Sequence, residues 1–404
     1  SNACDTCEIK IQATLTHACS VKITLSEKDT LPAADSLSAK GACSAEERVL
    51  DKESIVLEKI FTVNDWLTTG IEQAKSSSDY IGTYALTLPS PKLWQPVGYG
   101  SQNLYVLSVC TLNTEGEIAE QYQRTIGFRR SKLVMNTGSW ERETEFPKTR
   151  SDAPATLEIN GRRIFAKGSN WANAQVFPGD MNEAHYKELL TLVKNANMNI
   201  LRIWGGGFIN KESFYDLCDE MGIMVWQEFP LACNEYPDDE AYLTVLEKEA
   251  TAIVKRLRTH PCLVLWCGGN ELFNNWSKMT DQHHALRLLN SVCYTEDRYT
   301  PFIMTSPLNG MGHGHYMNYD EETGKEFITL LSKATNTAYT EFGCPGAASP
   351  DYIKSFINET DYADCNPDNK IWCAHHGFFA WRKNCWIRTP EVEYFFGKYE
   401  DKED

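Results

Sequence analysis

Leu263-Val-Leu-Trp-Cys-Gly-Gly-Asn-Glu271 decides how the chain is read. An unbroken apolar run stops at two glycines and an Asn-Glu pair. Because the run is apolar at every position and not at alternate ones, it reads as a strand buried on both faces, the pattern of a parallel sheet. Polar groups at the carboxyl end of a barrel strand are where (β/α) barrel enzymes place their chemistry. Glu271 is therefore the first candidate for a catalytic carboxyl group.

Working outward from this strand, residues 156–404 alternate apolar runs with amphipathic stretches. Strands are expected at 164–171, 200–205, 223–229, 263–271, 302–306, 315–319 and 338–343, and helices at 183–195, 211–221, 241–259 and 281–292. Strand-helix alternation of this length argues for a (β/α) TIM barrel. An eighth strand is not evident in 351–404, so the barrel is expected to lack its last strand in this chain. Residues 4–135 follow a different rule. Ile9-Lys-Ile-Gln-Ala13, Val21-Lys-Ile-Thr-Leu25 and Tyr105-Val-Leu-Ser-Val109 alternate apolar with polar, the mark of antiparallel strands with one wet face. The span suits a β-sandwich. The charged stretch 136–155, with Pro147 and Pro154, is the expected linker.

Composition narrows the partners. The 404 residues carry a net charge of -16, which disfavours nucleic acid and anionic membranes. No apolar run approaches the ~20 residues of a membrane span. The 11 Trp, 18 Tyr and 17 Phe include faces suited to stacking on sugar rings, although core packing accounts for most of them. The 14 Cys are too sparse for a disulfide-built scaffold, and Cys4-Asp-Thr-Cys7 lacks a second pair to complete a zinc site. Cys262, Cys267 and Cys344 are expected to act as small buried hydrophobes. Ser1-Asn2-Ala3 reads as the remnant of a cleaved tag, so that any native leader is expected to have been removed.

A second carboxylate stands out in Ala338-Tyr-Thr-Glu-Phe-Gly-Cys-Pro345. Glu341 also closes an apolar strand, so both Glu would face one rim. Glycoside cleavage needs such a pair, one group to protonate the leaving oxygen and one to attack the anomeric carbon or activate water. The bland alternative is that each is a loop-facing ion-pair partner. Other strand ends are also polar or aromatic: Asn170 and Trp171, Arg202 and Trp204 before Gly205-Gly-Gly207, and Trp226 with Glu228. The triple glycine lacks the spacing and the Lys of a phosphate loop, and reads as a tight turn that admits a ligand. His313 and His315 bracket Gly314 without an evident third ligand, so hydrogen bonding to substrate or simple structural use is expected in place of a metal.

Several of these segments together resemble glycoside hydrolase family 2, and within it the β-mannosidase group. Leu93-Trp-Gln-Pro-Val-Gly-Tyr-Gly-Ser-Gln-Asn-Leu-Tyr105 is similar to the signature of the family's immunoglobulin-like domain, and Ile159-Asn-Gly-Arg-Arg-Ile-Phe-Ala-Lys-Gly-Ser-Asn-Trp171 to the opening of its barrel. Arg202-Ile-Trp-Gly-Gly-Gly207, Val225-Trp-Gln-Glu-Phe229, His260-Pro261, Trp266-Cys-Gly-Gly-Asn-Glu271, His315-Tyr316 and Thr340-Glu-Phe-Gly343 match in order. The resemblance implies an immunoglobulin-like β-sandwich followed by a TIM barrel. It also implies a retaining glycosidase that cleaves terminal β-linked sugars by double displacement. Glu271 matches the acid/base and Glu341 the nucleophile. Asn270 matches the residue that bonds the sugar 2-hydroxyl. Arg202, Trp204, Trp226, Asn170, Trp171 and His315 match positions lining the terminal-sugar subsite. Trp-Gly-Gly-Gly after Leu201-Arg202, where galactosidases usually carry a His-containing stretch, favours mannose.

Further expectations come with the family. The carboxyl groups of a retaining pair stand about 5–5.5 Å apart, with the acid/base raised in pKa and the nucleophile lowered. The partner is a glycoside or oligosaccharide, no cofactor or metal is called for, and the setting is periplasmic or extracellular. Family members usually place a sugar-binding sandwich before the immunoglobulin-like domain, and this chain opens inside the latter; a barrel of seven strands would also leave an open edge beside the first strand, so the chain is expected to be weakly active or inactive alone. Two other readings stay open: a relative with β-galactosidase or exo-β-glucosaminidase specificity, and a non-catalytic carbohydrate-binding protein.

Overall fold

A computed structural model describes residues 6–16, 20–28, 55–62, 72–73, 79–136, 155–308, 310–314, 316–320, 323–334, 336–344, 346–380 and 385–398. The chain divides into two compact units, Ser1–Leu308 and Asn309–Asp404.

The first unit opens with strands β1 (Thr6–Thr16), β2 (Ser20–Glu27), β3 (Ile55–Thr62), β4 (Glu72–Gln73), β5 (Asp79–Pro89), β6 (Tyr105–Leu112) and β7 (Ile118–Ile126). All pairings are antiparallel, in sheets of order β1-β5-β4 and β3-β2-β6-β7. The period-two alternation turns Ile9, Leu86 and Leu88 of the first sheet onto Val21, Ile23, Leu25 and Leu107 of the second, which makes one buried cluster. Two sheets sharing one core form the expected sandwich. After it, β8 (Ser131–Met135) pairs with β9 (Ala155–Ile159), and β9 with β10 (Arg162–Arg163), in a small separate sheet. Residues 137–154 of the expected linker lie outside the described residues, as does Cys4 of the Cys-x-x-Cys pair.

Next comes a parallel sheet of order β11 (Gly168–Trp171), β12 (Ile200–Ile203), β13 (Met224–Glu228), β14 (Leu263–Cys267) and β15 (Phe302–Ile303). Every residue of β12, β13 and β14 is buried, as continuous apolar runs require. Helices α1 (Glu183–Asn195), α2 (Glu212–Met221), α3 (Glu240–Leu257) and α4 (His284–Glu296) fall between these strands. Their starts are chemically marked: Asn182 caps α1 by accepting from His185 N, and Asp239 caps α3 by accepting from Tyr242 N. Gly222 ends α2 in the left-handed region at φ 78°.

The sandwich is joined to the amino ends of these strands. The Trp94 indole donates to Asp219 O at 2.8 Å, and Arg129 donates to Pro261 O at 3.2 Å, to Thr300 Oγ1 at 2.9 Å and to Leu263 O. Gly127 permits the approach, because a Cβ there would stand 2.6 Å from Pro261 Cγ.

Described by itself, the second unit contains the parallel pair β16 (Met311–His313) and β17 (Ala338–Glu341), and helices α5 (Phe327–Leu331), α6 (Pro350–Lys354), α7 (Glu359–Ala363), α8 (Lys370–Ala374) and α9 (Thr389–Phe396). Ile353, Ile357, Tyr362 and Trp372 form its small core. The sixth strand expected at 315–319 lies instead at Met311–His313, since Gly314 at φ 82° ends the extended run before residue 315. Among the described residues no strand follows Glu341, and no helix is long and apolar enough to cross a membrane.

Candidate active site

Register builds the site. Asn170, Arg202 and Trp226 are aligned across β11, β12 and β13, so they share one face of the sheet, while Trp171, Ile203 and Gln227 share the other. On the first face Arg202 is the hub. Its guanidinium donates to Asn170 Oδ1 at 2.7 Å, to Glu228 Oε1 at 2.8 Å and to Asn270 Oδ1 at 2.5 Å. Four successive strands thus contribute to one cluster at their carboxyl ends. The Trp226 ring lies 5.8 Å from the guanidinium carbon, within cation–π range.

Arg202, Glu228 and Asn270 are buried. Burial pushes the Glu228 carboxyl up, and Arg202 together with the Gly205 N–H opposes this. An ion pair so placed is held by its hydrogen bonds more than by bare Coulomb attraction, since desolvation offsets much of the latter. Glu228 gives both oxygens to the scaffold: Oε1 accepts from Arg202 and Oε2 accepts from Gly205 N at 2.8 Å.

The glycines serve the chain's own packing. A Cβ on Gly205 would stand 2.5 Å from Leu231 O and 2.8 Å from Phe229 O, and one on Gly206 would meet the Trp204 ring at 2.1 Å. The triple glycine lets the β12 turn press on the end of β13 and lets Trp204 fold over Gly206. Gly268 and Gly269 do the same after β14, where Cβ atoms would reach Met304 O at 2.3 Å and Leu231 O at 2.4 Å.

That closeness fixes Glu271. Its backbone lies at φ 51°, which a non-glycine residue adopts at some cost. Three bonds hold it there or beside it: Glu271 N donates to Ser306 O at 2.7 Å, Ser277 Oγ donates to Glu271 O at 2.7 Å, and Leu272 N donates to Thr305 Oγ1 at 3.0 Å. A carboxylate on an over-determined backbone is pre-organised in the way a reacting group needs to be.

The second unit presents Glu341 at the end of β17. Tyr316 OH donates to Glu341 Oε2 at 3.0 Å, and His313 Nδ1 lies 3.5 Å from the same oxygen. His313 is therefore a neighbour of the carboxylate. His315 lies outside the described residues.

Trp171 is not brought to the cluster. It faces the helical layer, 5.0 Å from Phe214 and 6.4 Å from Tyr186 by ring centroids, with its indole donating to Asn210 Oδ1 at 3.3 Å. Next to Asn170 in an extended strand, it must point the opposite way. Cys262 and Cys267 are fully buried as expected, but Cys344 is half-exposed and donates to Asn318 Oδ1 at 3.2 Å. Two contributors escaped the sequence reading. Tyr316 was seen only as part of a motif, and Cys233, which touches Glu271, gave no signal beyond its place just after β13.

Comparison with known proteins agrees with this architecture. The model of glycosyl hydrolases family 2 matches residues 2–129, and that of the same family's TIM barrel domain matches residues 153–340. The chain belongs to glycoside hydrolase family 2. Within this family it is similar to β-mannosidases. A β-mannosidase B from Thermothelomyces thermophilus is 38% identical over 189 residues, covering 47% of this chain and 21% of the relative. A β-mannosidase from Capra hircus is 35% identical over 232 residues, covering 54% and 25%. Among solved structures, a β-D-mannosidase from Dictyoglomus thermophilum superposes with TM-score 0.70 at 27% identity, covering 94% of this chain and 45% of that one. An exo-chitosanase from Amycolatopsis orientalis, at TM-score 0.56 and 14% identity over 89% of this chain and 38% of that one, shares the fold. The chain thus spans about a quarter of the length of the curated family 2 relatives it matches.

Proposed function

We propose that the protein is a retaining β-glycoside hydrolase acting on terminal β-mannosides. The observation that carries this reading is the Arg202 cluster. Asn170, Glu228 and Asn270 converge on one guanidinium at the carboxyl ends of parallel strands, beside the fixed backbone of Glu271. Such a cluster offers amide groups and a positive field to sugar hydroxyls, and Trp226 supplies an aromatic face.

In the proposed reaction Glu341 attacks the anomeric carbon while Glu271 protonates the departing oxygen. Glu271 then takes a proton from the water that releases the sugar from Glu341. Asn270 bonds the sugar 2-hydroxyl. Mannose is favoured because relatives similar to this chain are named β-mannosidases.

The test is chemical rescue. Glu341→Ala is expected to abolish turnover of an aryl β-mannoside, with added azide restoring activity as the glycosyl azide. Full activity of that variant without azide would refute the assignment. A screen of aryl β-mannoside, β-galactoside and β-glucosaminide against the unaltered chain tests the sugar, and preference for either of the latter two would reassign it.

A further inference from the structure

Cys233 touches two members of the site described above, Asn270 and Glu271. It ends the segment Leu231-Ala-Cys233, which is stitched to the residues after β14: Asn270 N donates to Leu231 O and Cys233 N donates to Asn270 O, both at 2.9 Å. Tyr236 braces the same segment, its phenol accepting from Ala232 N at 2.8 Å and donating to Ala232 O at 3.3 Å. Cys233 itself sits at φ 49°. A non-glycine residue persists in that region where its surroundings over-determine it, so the backbone places the thiol.

The thiol completes a directed chain of donors. Arg202 donates to Asn270 Oδ1 at 2.5 Å, which turns the amide so that Nδ2 donates to Cys233 Sγ at 3.2 Å. Sγ then donates to Glu271 Oε2 at 3.5 Å. A thiol alone is a weak donor, but a group that accepts a hydrogen bond donates more strongly. The chain runs from a buried guanidinium to the carboxyl group at the rim.

We propose that Cys233 is a positioning residue for Glu271. Its S–H donates to Oε2, holds the carboxyl group in one orientation for the proton that is delivered and retrieved, and favours the ionised form between those events. This rests on the acid/base reading of Glu271.

Two experiments on the full chain test it. In Cys233→Ala the donor is lost. With a phenyl β-mannoside, whose leaving oxygen needs a proton, kcat/KM should fall about tenfold, while a dinitrophenyl β-mannoside, which needs none, should change by less than about twofold. The basic limb of the pH profile should move to higher pH, because a carboxylate that loses a donor is protonated more readily. Cys233→Ser, which keeps a donor, should recover both readouts. Equal losses on the two substrates, or an unmoved pH profile, would overturn the proposal.

The second experiment does not depend on turnover. Iodoacetamide labelling of Cys233, followed by peptide mass mapping, is compared in the unaltered chain and in Glu271→Gln. A neighbouring carboxylate disfavours the thiolate, so at about pH 7 the variant should label roughly threefold faster or more. Equal rates would mean that the thiol and the carboxylate are not coupled. If instead Glu271→Gln retains turnover of the phenyl substrate, the acid/base reading fails, and the labelling result still judges the contact.

Discussion

Arg202 and Glu228 form a buried ion pair, Nε to Oε1 at 2.8 Å, with side-chain exposures of 5% and 0%. The pair ties β12 to β13 just below the rim, and the same guanidinium orients Asn170 and Asn270. Whatever the site binds, its geometry is set by a charge that water does not reach.

Glu228→Gln should therefore be costly. Removing one partner leaves Arg202 charged and under-compensated in the interior, a loss of about 3–5 kcal/mol. Urea denaturation of the variant beside the unaltered chain measures it. A change below about 1 kcal/mol would mean that the pair is solvated in solution.

His260 gives a pH-dependent contribution to stability. Its Nδ1 meets Asp219 Oδ2 at 2.7 Å and its Nε2 meets Glu212 Oε1 at 3.0 Å. Burial alone would lower its pKa, but the Asp219 and Glu212 carboxylates outweigh it and push the imidazole up to about 9. A group raised above its unfolded value stabilises the fold fully below about pH 6.5 and stops doing so as pH rises through about 9. The swing is about 3 kcal/mol in order of magnitude. Denaturation midpoints at about pH 6 and pH 9.5 should differ more in the unaltered chain than in His260→Gln. Parallel pH dependence in the two proteins would rule this out.

The glycine contacts predict an asymmetric alanine scan. Gly205→Ala drives a Cβ against the Phe229 and Leu231 carbonyls, which are backbone and yield poorly, whereas Gly179 has nothing within 4 Å. The first substitution should cost about 1–3 kcal/mol, and the second should stay within about 0.5 kcal/mol. Thermal unfolding of the two variants decides it, and similar losses would mean that the turn after β12 relaxes freely.

Arg129 should not be replaceable by lysine. Its fork serves the carbonyls of Pro261 and Leu263 and the Thr300 hydroxyl, and an ammonium cannot match that planar arrangement. Arg129→Lys should lose about as much stability as Arg129→Met, roughly 2 kcal/mol or more. Full stability of the lysine variant would show that the charge matters and the geometry does not.

Much of this was legible in the chain. β12, β13 and β14 announce themselves because strands covered on both faces are largely apolar, with their polar residues at the carboxyl ends, and α1 is bounded by its Asn182 cap where the periodicity places it. The convergence of Asn170, Arg202 and Asn270 follows from polar residues at strand ends. What the pattern could not supply is which way a residue faces when its neighbour is equally suitable. Asn170 and Trp171 are both good sugar ligands, and only the register with Arg202 sends one inward and the other to the helices. The strand near 311–319 was misplaced because its apolar signal is short and Gly314 divides it. Cys233 was missed because its position depends on a turn whose left-handed backbone no local propensity announces.

The contacts beneath β14 bear on how such enzymes can be taken apart. Trp94 and Arg129 belong to the stretch that precedes the parallel sheet, yet they satisfy backbone carbonyls of Asp219 in α2, Pro261 just before β14 and Leu263 at its start. A parallel-sheet segment excised on its own would expose those carbonyls at the foot of the very strand that leads to Glu271. The sandwich is thus less an appendage than a foundation stone, and exchanging it between relatives should succeed only when the tryptophan and the arginine travel with it.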